Sequence, residues 1–392
     1  MKLLILLLFF CCNDAFGQVQ KVGVFRNLTV KRILISYGNG TYNVEADSIQ
    51  LSAILPDEFY DIRFLSSTTF EVYKGVDLID TFASIKFTAT SEEQYLAFTP
   101  KEPIAKERRY EDDFVIFPNE TGLTIVNNVT MNNYLGGVVE SEGGNSAELE
   151  YMKIQATISR TYALKNYNRH KNQGFSLCDQ THCQAYFSML RYRPKIDLAV
   201  RMTEGEIIVD GNDYPVDAFF HANCGGQTSE TDQIWNEKID YFPAFKDTFC
   251  IYTKQATWEK RIEKDKWRVF MVSKYQYPEN DSVLGPLMYT FNQDQRMTFF
   301  QTPALGIPLR DIRDEYRLKS TFFNCYLDGD FVVLRGRGFG HGVGLCQEGA
   351  MHMARCGFHY TQIAQYYYPT TKLINRDQYI FFRQKVIGFC TF

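Results

Sequence analysis

The sequence lacks the features that direct a chain to a membrane interior or to a nucleic acid. The stretch LLILLLFF near its start is too short to span a bilayer, and no later segment approaches the roughly 18 consecutive apolar residues of a membrane helix. The formal net charge is −4, so there is no positive excess to attract nucleic acids or anionic membrane surfaces. Internal repeats and low-complexity linkers are absent as well. We therefore expect no transmembrane segment and no nucleic-acid partner.

What remains is the composition of an ordinary globular protein. Of the 392 residues, 45% are hydrophobic and 22% are charged. This length is enough for a sizeable core and for one to three domains. Aromatic residues make up 15% of the chain, which we interpret first as core material.

The N-terminus has the pattern of a secretory signal peptide. Lys2 precedes the apolar run, and small residues follow it, so residues 1–17 are predicted to be removed after Gly17. A lipid anchor at Cys11 is disfavoured by the bulky Phe10 before it. The chain is accordingly predicted to be exported to the periplasm or the cell envelope. Eight further cysteines can then form disulfides or bind metal.

The order of sequence patterns predicts a mixed α+β fold, β-rich, with a few helices packed around an active-site cleft. Residues 18–110 alternate apolar and polar residues between turn residues and form the predicted N-terminal β-rich part. Residues 111–392 form the predicted main domain, with an insertion near 240–300. A helix is predicted at 146–167, where Asn145 and Glu148 make a capping box. Further helices are predicted near WEKRIEKDKWRVFMVSKY, near 346–355 and at 361–368. Residues 310–335 are predicted to be strand-like.

The stretch GRGFGHGVG places five glycines at alternate positions around His341. It has neither the glycine spacing of a dinucleotide-binding loop nor the Lys-Ser/Thr of a phosphate-binding loop. Alternating glycines allow close approach either by a ligand or by a packed strand. Both interpretations remain open from the sequence.

A second group of reactive side chains lies in LCDQTHCQAY. Cys178, His182 and Cys183 lie close in sequence, and His170 precedes them by a few residues. Thiolates and imidazoles at short spacing suit tetrahedral zinc. A disulfide is the alternative, and the sequence favours the metal slightly.

Cys224, in HANCGGQT, can be interpreted as a thiol nucleophile with His221 as its base. Residues three apart in a loop rarely align for proton transfer, so a zinc- or cysteine-dependent hydrolase centred on 170–224 is the weaker hypothesis. Cys346 and Cys356 are predicted to be buried or paired.

Two carboxylates, Glu140 and Glu142, lie between an apolar segment and a glycine pair in YLGGVVESEGG. Such neighbouring carboxylates are usually solvated surface. A carboxyl group beside apolar residues, however, has a raised pKa and can keep a proton near neutral pH. That property is what a general acid for glycosidic cleavage needs.

Four stretches together resemble the SpoIID/LytB family of cell-wall proteins. YLGGVVESE is similar to its Y-hydrophobic-x-G-V-V-x-x-E motif, and KIQATISRTYAL to its K-x-Q-A-x-x-x-R-T-Y-A helix. CGGQTSETDQIW is similar to its Gly-Gly-x-Thr segment, which runs to an acidic residue and Trp. The fourth stretch begins at GRGFGHGVGLCQEGA and closes with the Tyr-Tyr-Pro helix. Order and spacing agree from about residue 110 to residue 375.

The resemblance implies a lytic transglycosylase that acts on peptidoglycan glycan strands. Such an enzyme cleaves the bond between N-acetylmuramic acid and N-acetylglucosamine and leaves a 1,6-anhydro ring, with one carboxyl group as acid and then as base. The family's catalytic Glu falls on Glu142, not on Glu140. The family also implies an alternative, a non-catalytic wall-binding protein that stimulates an N-acetylmuramoyl-L-alanine amidase.

The resemblance implies further roles for matched residues. It gives Arg160 and Tyr162 a positioning role, His341 and Gln347 a place in the cleft, and Gly225, Gly226 and Thr228 contacts with sugar. Some members hold zinc through a His and two Cys, which here are Cys178 and Cys183 with His170 or His182. Such a zinc is expected to be structural.

Overall fold

The structure is a computed structural model that describes residues 19–143, 146–191, 193–235 and 237–376. The predicted signal peptide, Cys11 and the capping residue Asn145 lie outside these residues. The pattern of contacts divides the chain into two compact units. The first unit runs to Glu142 and includes Asn166–Arg193; the second contains Gly143–Lys165 and the chain from Pro194 onward. The predicted domain limits at 110/111 stay a prediction.

The first unit is built mainly of antiparallel strands. One sheet has the order β13-β1-β12-β11-β8-β3-β4 and the other the order β10-β9-β2-β5-β6-β7. Among the described residues of this unit, β1 and β13 pair in parallel and the other pairs are antiparallel. The strands are β1 (Val19–Val24), β2 (Arg32–Asn39), β3 (Tyr42–Ala46), β4 (Ile49–Leu51), β5 (Phe59–Phe64), β6 (Phe70–Lys74), β7 (Asp77–Phe82), β8 (Ile85–Ala89), β9 (Tyr95–Glu102), β10 (Arg108–Glu111), β11 (Asp113–Pro118), β12 (Leu123–Thr130) and β13 (Leu177–Cys178).

Alternation in the sequence decides which face of these strands is buried. In β3, YNVEA, residues alternate strictly between buried and exposed, as expected for a half-buried strand. Strands β11 and β12 form an antiparallel hairpin that turns between Pro118 and Leu123. Helix α1 (Met131–Gly143) follows β12 directly, and a short 3-10 helix lies at Lys171–Gln173.

The second unit combines helices with small sheets. Its sheets have the orders β14-β20, β15-β19 and β16-β18-β17, and β15 and β19 pair in parallel. The strands are β14 (Glu206–Val209), β15 (Phe220–His221), β16 (Thr257–Glu263), β17 (Phe323–Asp328), β18 (Phe331–Arg337), β19 (Leu345–Cys346) and β20 (Lys372–Asn375). The helices are α2 (Leu149–Lys165), α3 (Arg193–Met202), α4 (Asp232–Trp235), α5 (Lys264–Tyr275), α6 (Leu284–Leu287), α7 (Leu309–Tyr316), α8 (Gln347–Arg355) and α9 (Tyr360–Tyr367), with a 3-10 helix at Pro303–Leu305.

Sheet β16-β18-β17 carries its own apolar core with α5 and α7. Trp267 of α5 is fully buried there, and its indole N–H donates to the Met288 carbonyl at 2.9 Å.

Two local predictions are corrected in the region of this sheet. WEKRIE forms most of β16 rather than the start of a helix, because β16 pairs with β18 along all seven of its residues. Residues 309–316 form α7 rather than a strand.

Among the described residues, strands and helices both contribute substantially, and the predicted mixed α+β class is confirmed. The helix predicted at 146–167 is observed as α2, and the two late helices are observed as α8 and α9. Within the part of the chain that the structure describes, no helix combines the length and apolarity needed to cross a bilayer.

Candidate functional site

The stretch YLGGVVESEG is helical and forms most of α1. Its two consecutive glycines allow a following loop to lie against the helix. A Cβ at Gly137 would stand 2.4 Å from the carbonyl oxygen of Ser188, and one at Gly136 would meet Leu190. The Tyr134 hydroxyl also donates to Gln184 Oε1 at 3.0 Å. We call residues 184–191 the docking loop, since it contacts α1 along most of its length.

Glu142 lies in the last turn of α1 and is held by the docking loop. Its Oε1 accepts a hydrogen bond from the backbone N–H of Ala185 at 2.8 Å. Burial raises the pKa of the Glu142 carboxyl, and the Ala185 hydrogen bond opposes this only in part. The negative end of the α1 dipole disfavours the carboxylate as well. The side chain nevertheless stays partly exposed, so a ligand can reach it.

Glu140 has a different environment. Its side chain is buried, and Oε2 accepts hydrogen bonds from the backbone N–H of Arg191 at 3.1 Å and from its Nε at 3.3 Å. This ion pair fastens the end of the docking loop to α1. The two neighbouring carboxylates are therefore distinct: Glu140 is an anchor, and Glu142 is an accessible group with a raised pKa.

The predicted Cys/His group comes together in the first unit. His170 Nε2 lies 3.4 Å from Cys183 Sγ, and His182 Nδ1 lies 3.7 Å from Cys178 Sγ and 3.6 Å from Cys183 Sγ. All four donor atoms lie within 4.8 Å of one another. Both candidate histidines thus belong to the group, which gives four donors rather than the predicted three. Two thiols and two imidazoles form a donor set that can hold tetrahedral zinc.

The Cys/His group is continuous with the loop that holds Glu142. Cys183 is followed directly by Gln184 and Ala185, whose contacts with α1 are given above. The thiols of Cys178 and Cys183 are both buried, and the pKa of Cys178 is lowered, first by a hydrogen bond from Cys183. A metal on this group would fix the start of the docking loop.

His341 lies in the second unit beside aromatic rings. The backbone N–H of Val343 donates to His341 Nδ1 at 3.0 Å, which places the ring proton on Nε2. Burial, together with Arg313, lowers the pKa of His341 to about 4, so the ring is neutral at neutral pH. Its ring centroid lies 5.0 Å from that of Trp235.

Trp235 was not among the predicted site residues. Its side chain is 42% exposed, and its ring also packs on Phe219 with centroids 4.8 Å apart. A half-exposed indole on a rigid aromatic support is suited to stacking on a sugar ring. The sequence alone could have identified Trp235 as a candidate, because it is the last residue of the family-like stretch CGGQTSETDQIW.

The glycines after Cys224 serve backbone packing. Gly225 and Gly226 have φ of +69° and +95°, in the left-handed region. A Cβ at Gly225 would stand 2.6 Å from the backbone of Arg337, in the glycine-rich stretch that contains His341. Thr228 is buried, and its hydroxyl accepts from the Phe245 N–H and donates to the Pro243 carbonyl. Sugar contact at Gly225, Gly226 and Thr228 stays a prediction.

Arg160, Tyr162 and Gln347 are all buried within the second unit. Arg160 donates to the carbonyl oxygens of Glu206 and Val200, at 3.1 and 3.4 Å, and burial lowers its pKa to about 10. Gln347 Nε2 donates to Gln155 Oε1 at 3.3 Å, which joins the start of α8 to α2. A positioning role for Arg160 and Tyr162 and a place for Gln347 in the cleft both stay predictions.

The structure does not pair Cys224 with His221. His221 Nδ1 donates to the Val343 carbonyl at 3.0 Å, whereas the Cys224 sulfur contacts Asp247 and Cys250. A thiol nucleophile with His221 as its base is therefore not assembled here. Cys346 is buried as predicted, but Cys356 is exposed, because it follows the last turn of α8 at the surface.

Comparison with known proteins agrees with the sequence motifs. Residues 119–209 match the family model described as Stage II sporulation protein, SpoIID. Stage II sporulation protein D of Bacillus subtilis is 28% identical over 276 residues, which cover 65% of this chain and 77% of that protein. The Amidase enhancer of Bacillus subtilis is 25% identical over 289 residues, or 61% of this chain and 40% of that protein. An uncharacterized protein of Brachyspira hyodysenteriae is 23% identical over 273 residues, 69% of this chain and 73% of that protein.

The matched region contains α1, α2, the Cys/His group and the docking loop. The resemblance predicted from the four motifs is therefore confirmed: the chain carries a SpoIID match at residues 119–209 and is similar to Stage II sporulation protein D and the Amidase enhancer.

Proposed function

We propose that this protein is an exported lytic transglycosylase that cleaves peptidoglycan glycan strands. Similarity to Stage II sporulation protein D and to the Amidase enhancer supports the coarser part of the proposal, a role in the cell wall. The finer part is cleavage between N-acetylmuramic acid and N-acetylglucosamine with formation of the 1,6-anhydro product. It rests on the environment of one carboxyl group.

That carboxyl group is Glu142. It is partly exposed, its pKa is raised by burial, and Ala185 fixes one of its oxygens. A raised pKa keeps the acid protonated closer to neutral pH, which a general acid requires. Because Oε1 accepts the Ala185 hydrogen bond, the transferable proton belongs on Oε2. This observation carries the proposal.

The reaction then needs no water and only one carboxyl group. Glu142 gives its proton to the glycosidic oxygen, and the bond from that oxygen to C1 of N-acetylmuramic acid breaks. The N-acetylglucosamine unit leaves with the oxygen and the proton. The 6-hydroxyl oxygen of the muramic acid bonds to C1, and its proton passes to the Glu142 carboxylate, which is thereby restored. Between the two transfers the Ala185 N–H stabilises the carboxylate.

Other residues take supporting roles in this proposal. Trp235 and the neutral ring of His341 offer a stacking surface for a sugar ring. The backbone at Gly225 and Gly226, with Thr228, shapes the loop behind it. Arg160, Tyr162 and Gln347 fix the buried faces of α2 and α8.

We assign a structural zinc to Cys178, Cys183, His170 and His182. Zinc held by four protein donors would tie the start of the docking loop and so keep the Ala185 N–H on Glu142. It would not activate water, because its four positions would be filled by side chains.

The decisive experiment is mass spectrometry of products from purified glycan strands, with and without stem peptides. We expect products one water lighter than hydrolysis products from the wild-type protein, and a 10²- to 10⁴-fold lower rate from Glu142→Gln, the usual effect of losing a general acid. Glu92→Gln, the same chemical change at an exposed side chain of the first unit, is expected to keep the wild-type rate. Equal rates for Glu142→Gln and wild type would refute the catalytic assignment.

Similarity to the Amidase enhancer favours one alternative, a wall-binding protein that stimulates an N-acetylmuramoyl-L-alanine amidase without cleaving glycan itself. Under this alternative neither wild type nor Glu142→Gln releases anhydro products. Both would instead bind purified wall and raise the rate of an added amidase equally.

A further inference from the structure

A second group of metal-binding side chains lies in the second unit, away from the Cys/His group. Its donors are the sulfurs of Cys224, Cys250 and Cys346 and a carboxylate oxygen of Asp247, all within 4.8 Å of one another. Cys224 Sγ lies 3.3 Å from Cys250 Sγ and 3.3 Å from Asp247 Oδ2. Each of the four residues is fully buried. We call these four residues the Cys3Asp cluster.

We infer that the Cys3Asp cluster binds one zinc ion, as a closed structural site independent of the proposed catalytic activity. Three thiolates and one carboxylate are donors that zinc accepts, and four protein donors complete a tetrahedron. With zinc–sulfur bonds of about 2.3 Å, the edges of such a tetrahedron are about 3.8 Å long. The observed separations therefore need only small adjustments.

The surroundings of Asp247 are those of an oriented ligand. The Tyr367 hydroxyl donates to Asp247 Oδ2 at 2.9 Å, and the Phe249 N–H donates to Oδ1 at 3.0 Å. Outer hydrogen bonds of this kind hold metal ligands in position. The Cys224 N–H similarly approaches Cys346 Sγ at 3.3 Å. Helix α8 passes close to the cluster at Gly349, where a Cβ would stand 2.8 Å from Asp247 Oδ2.

A buried cation lies beside the cluster. Arg296 is 5% exposed and its Nη2 donates to the Cys224 carbonyl at 2.7 Å. Its Nη1 has no hydrogen-bond acceptor among the described residues. A zinc ion with three thiolates and one carboxylate keeps an excess of negative charge. The guanidinium beside it offsets part of that excess, which a buried anionic site requires.

A disulfide is the rival interpretation in an exported protein. It fits the cluster less well, because three thiols cannot all pair with one another. One disulfide would leave a single thiol beside a buried carboxylate. A metal uses all four donors at once.

The site would join segments that are far apart in sequence. Cys224 follows β15, Asp247 and Cys250 lie in one turn, and Cys346 ends β19. β15 and β19 pair in parallel directly beside the cluster. Zinc there would clamp the glycine-rich loops on either side, one of which contains His341.

Metal content of the purified full chain, relative to protein, tests the inference. Cys224→Ser/Cys250→Ser should contain one zinc equivalent less than wild type, whether or not the Cys/His group is loaded. Cys325→Ser, which removes a buried thiol outside both groups, should match wild type. An unchanged zinc content in Cys224→Ser/Cys250→Ser would overturn the inference.

Two measurements remain informative if that variant does not fold. X-ray absorption at the zinc edge of Cys178→Ser/Cys183→Ser should give three sulfurs at about 2.3 Å and one oxygen at about 2.0–2.2 Å. Absence of zinc, or a shell without three sulfurs, would contradict the site. Unreduced wild-type protein, denatured and alkylated, should carry the label on Cys224, Cys250 and Cys346. Disulfide-linked peptides that contain two of these cysteines would support the disulfide interpretation and contradict the zinc site.

Discussion

At Glu142 two opposing influences act on one carboxyl group. Burial disfavours the charged form, and the Ala185 N–H favours it; the net effect is a raised pKa. Glu140, two residues earlier, is paired with Arg191 instead. The sequence motif alone selected Glu142 through a family resemblance. The physical difference between the two carboxylates depends on residues 185 and 191, more than 40 positions away, which the local pattern does not contain.

This raised pKa has a consequence for stability. The folded protein holds the Glu142 proton more tightly than the unfolded chain, so the stability from this group is complete below the unfolded pKa of about 4.3 and is lost as the pH rises through the folded pKa. Glu142→Gln stays neutral throughout. We therefore expect the free energy of unfolding of wild type to fall relative to that of the variant as the pH rises above about 4, until the folded pKa is passed. Urea titrations at a series of pH values measure this difference. A difference that is constant with pH would mean that the pKa is not raised.

At the scale of elements, α1 and the docking loop depend on the absence of a side chain. Gly137→Ala would place a methyl group 2.4 Å from the Ser188 carbonyl, a backbone atom that cannot swing aside. We expect a loss of about 1–3 kcal/mol in the free energy of unfolding and a lower rate of glycan cleavage. Gly211→Ala, where a Cβ meets nothing within 4 Å, is the matched control for urea titration. Equal losses for the two variants would show that the close approach is unimportant.

The Cys/His group is expected to act on Glu142 through the same loop. Replacing Cys178 and Cys183 by Ser removes two donors and should loosen the chain that leads to Ala185. Hydrogen exchange followed by mass spectrometry should then show faster exchange in peptides that cover the Ala185 amide. Cys356→Ser, at an exposed thiol, should exchange like wild type. If the Ala185 amide exchanges equally slowly in the double variant and in wild type, the Cys/His group does not stabilise the docking loop.

Elements with a strong local signal were predictable, and those made by distant pairing were not. Helices α2, α8 and α9 were predicted from local patterns at nearly the observed limits. WEKRIE was predicted to be part of a helix with the residues that follow it, but it is a strand because β18 pairs with it from about 70 residues downstream. The Cys/His group could be predicted from the sequence because its members lie within 14 residues of one another. The Cys3Asp cluster spans 122 positions, so no spacing rule could assemble it.

At the scale of the whole molecule, the second unit contains a core of its own around Trp267. Trp267→Ala should lower the free energy of unfolding by about 3–5 kcal/mol, because it opens a cavity and leaves the Met288 carbonyl without its donor. Limited proteolysis should then cut first within residues 257–337, while fragments of the first unit persist. Tyr252→Ala, at a side chain that is 92% exposed, serves as the control. Simultaneous loss of both units would mean that they unfold together.

The hydrogen bond to Glu142 is donated by main chain, and this affects what mutagenesis can detect. Ala185 is buried, so a replacement must be small, and any small residue other than proline still presents its N–H to Glu142. Proline is the exception, since it has no N–H to give. A variant that keeps a small side chain at 185 is therefore no test of this hydrogen bond, whereas Ala185→Pro removes its donor.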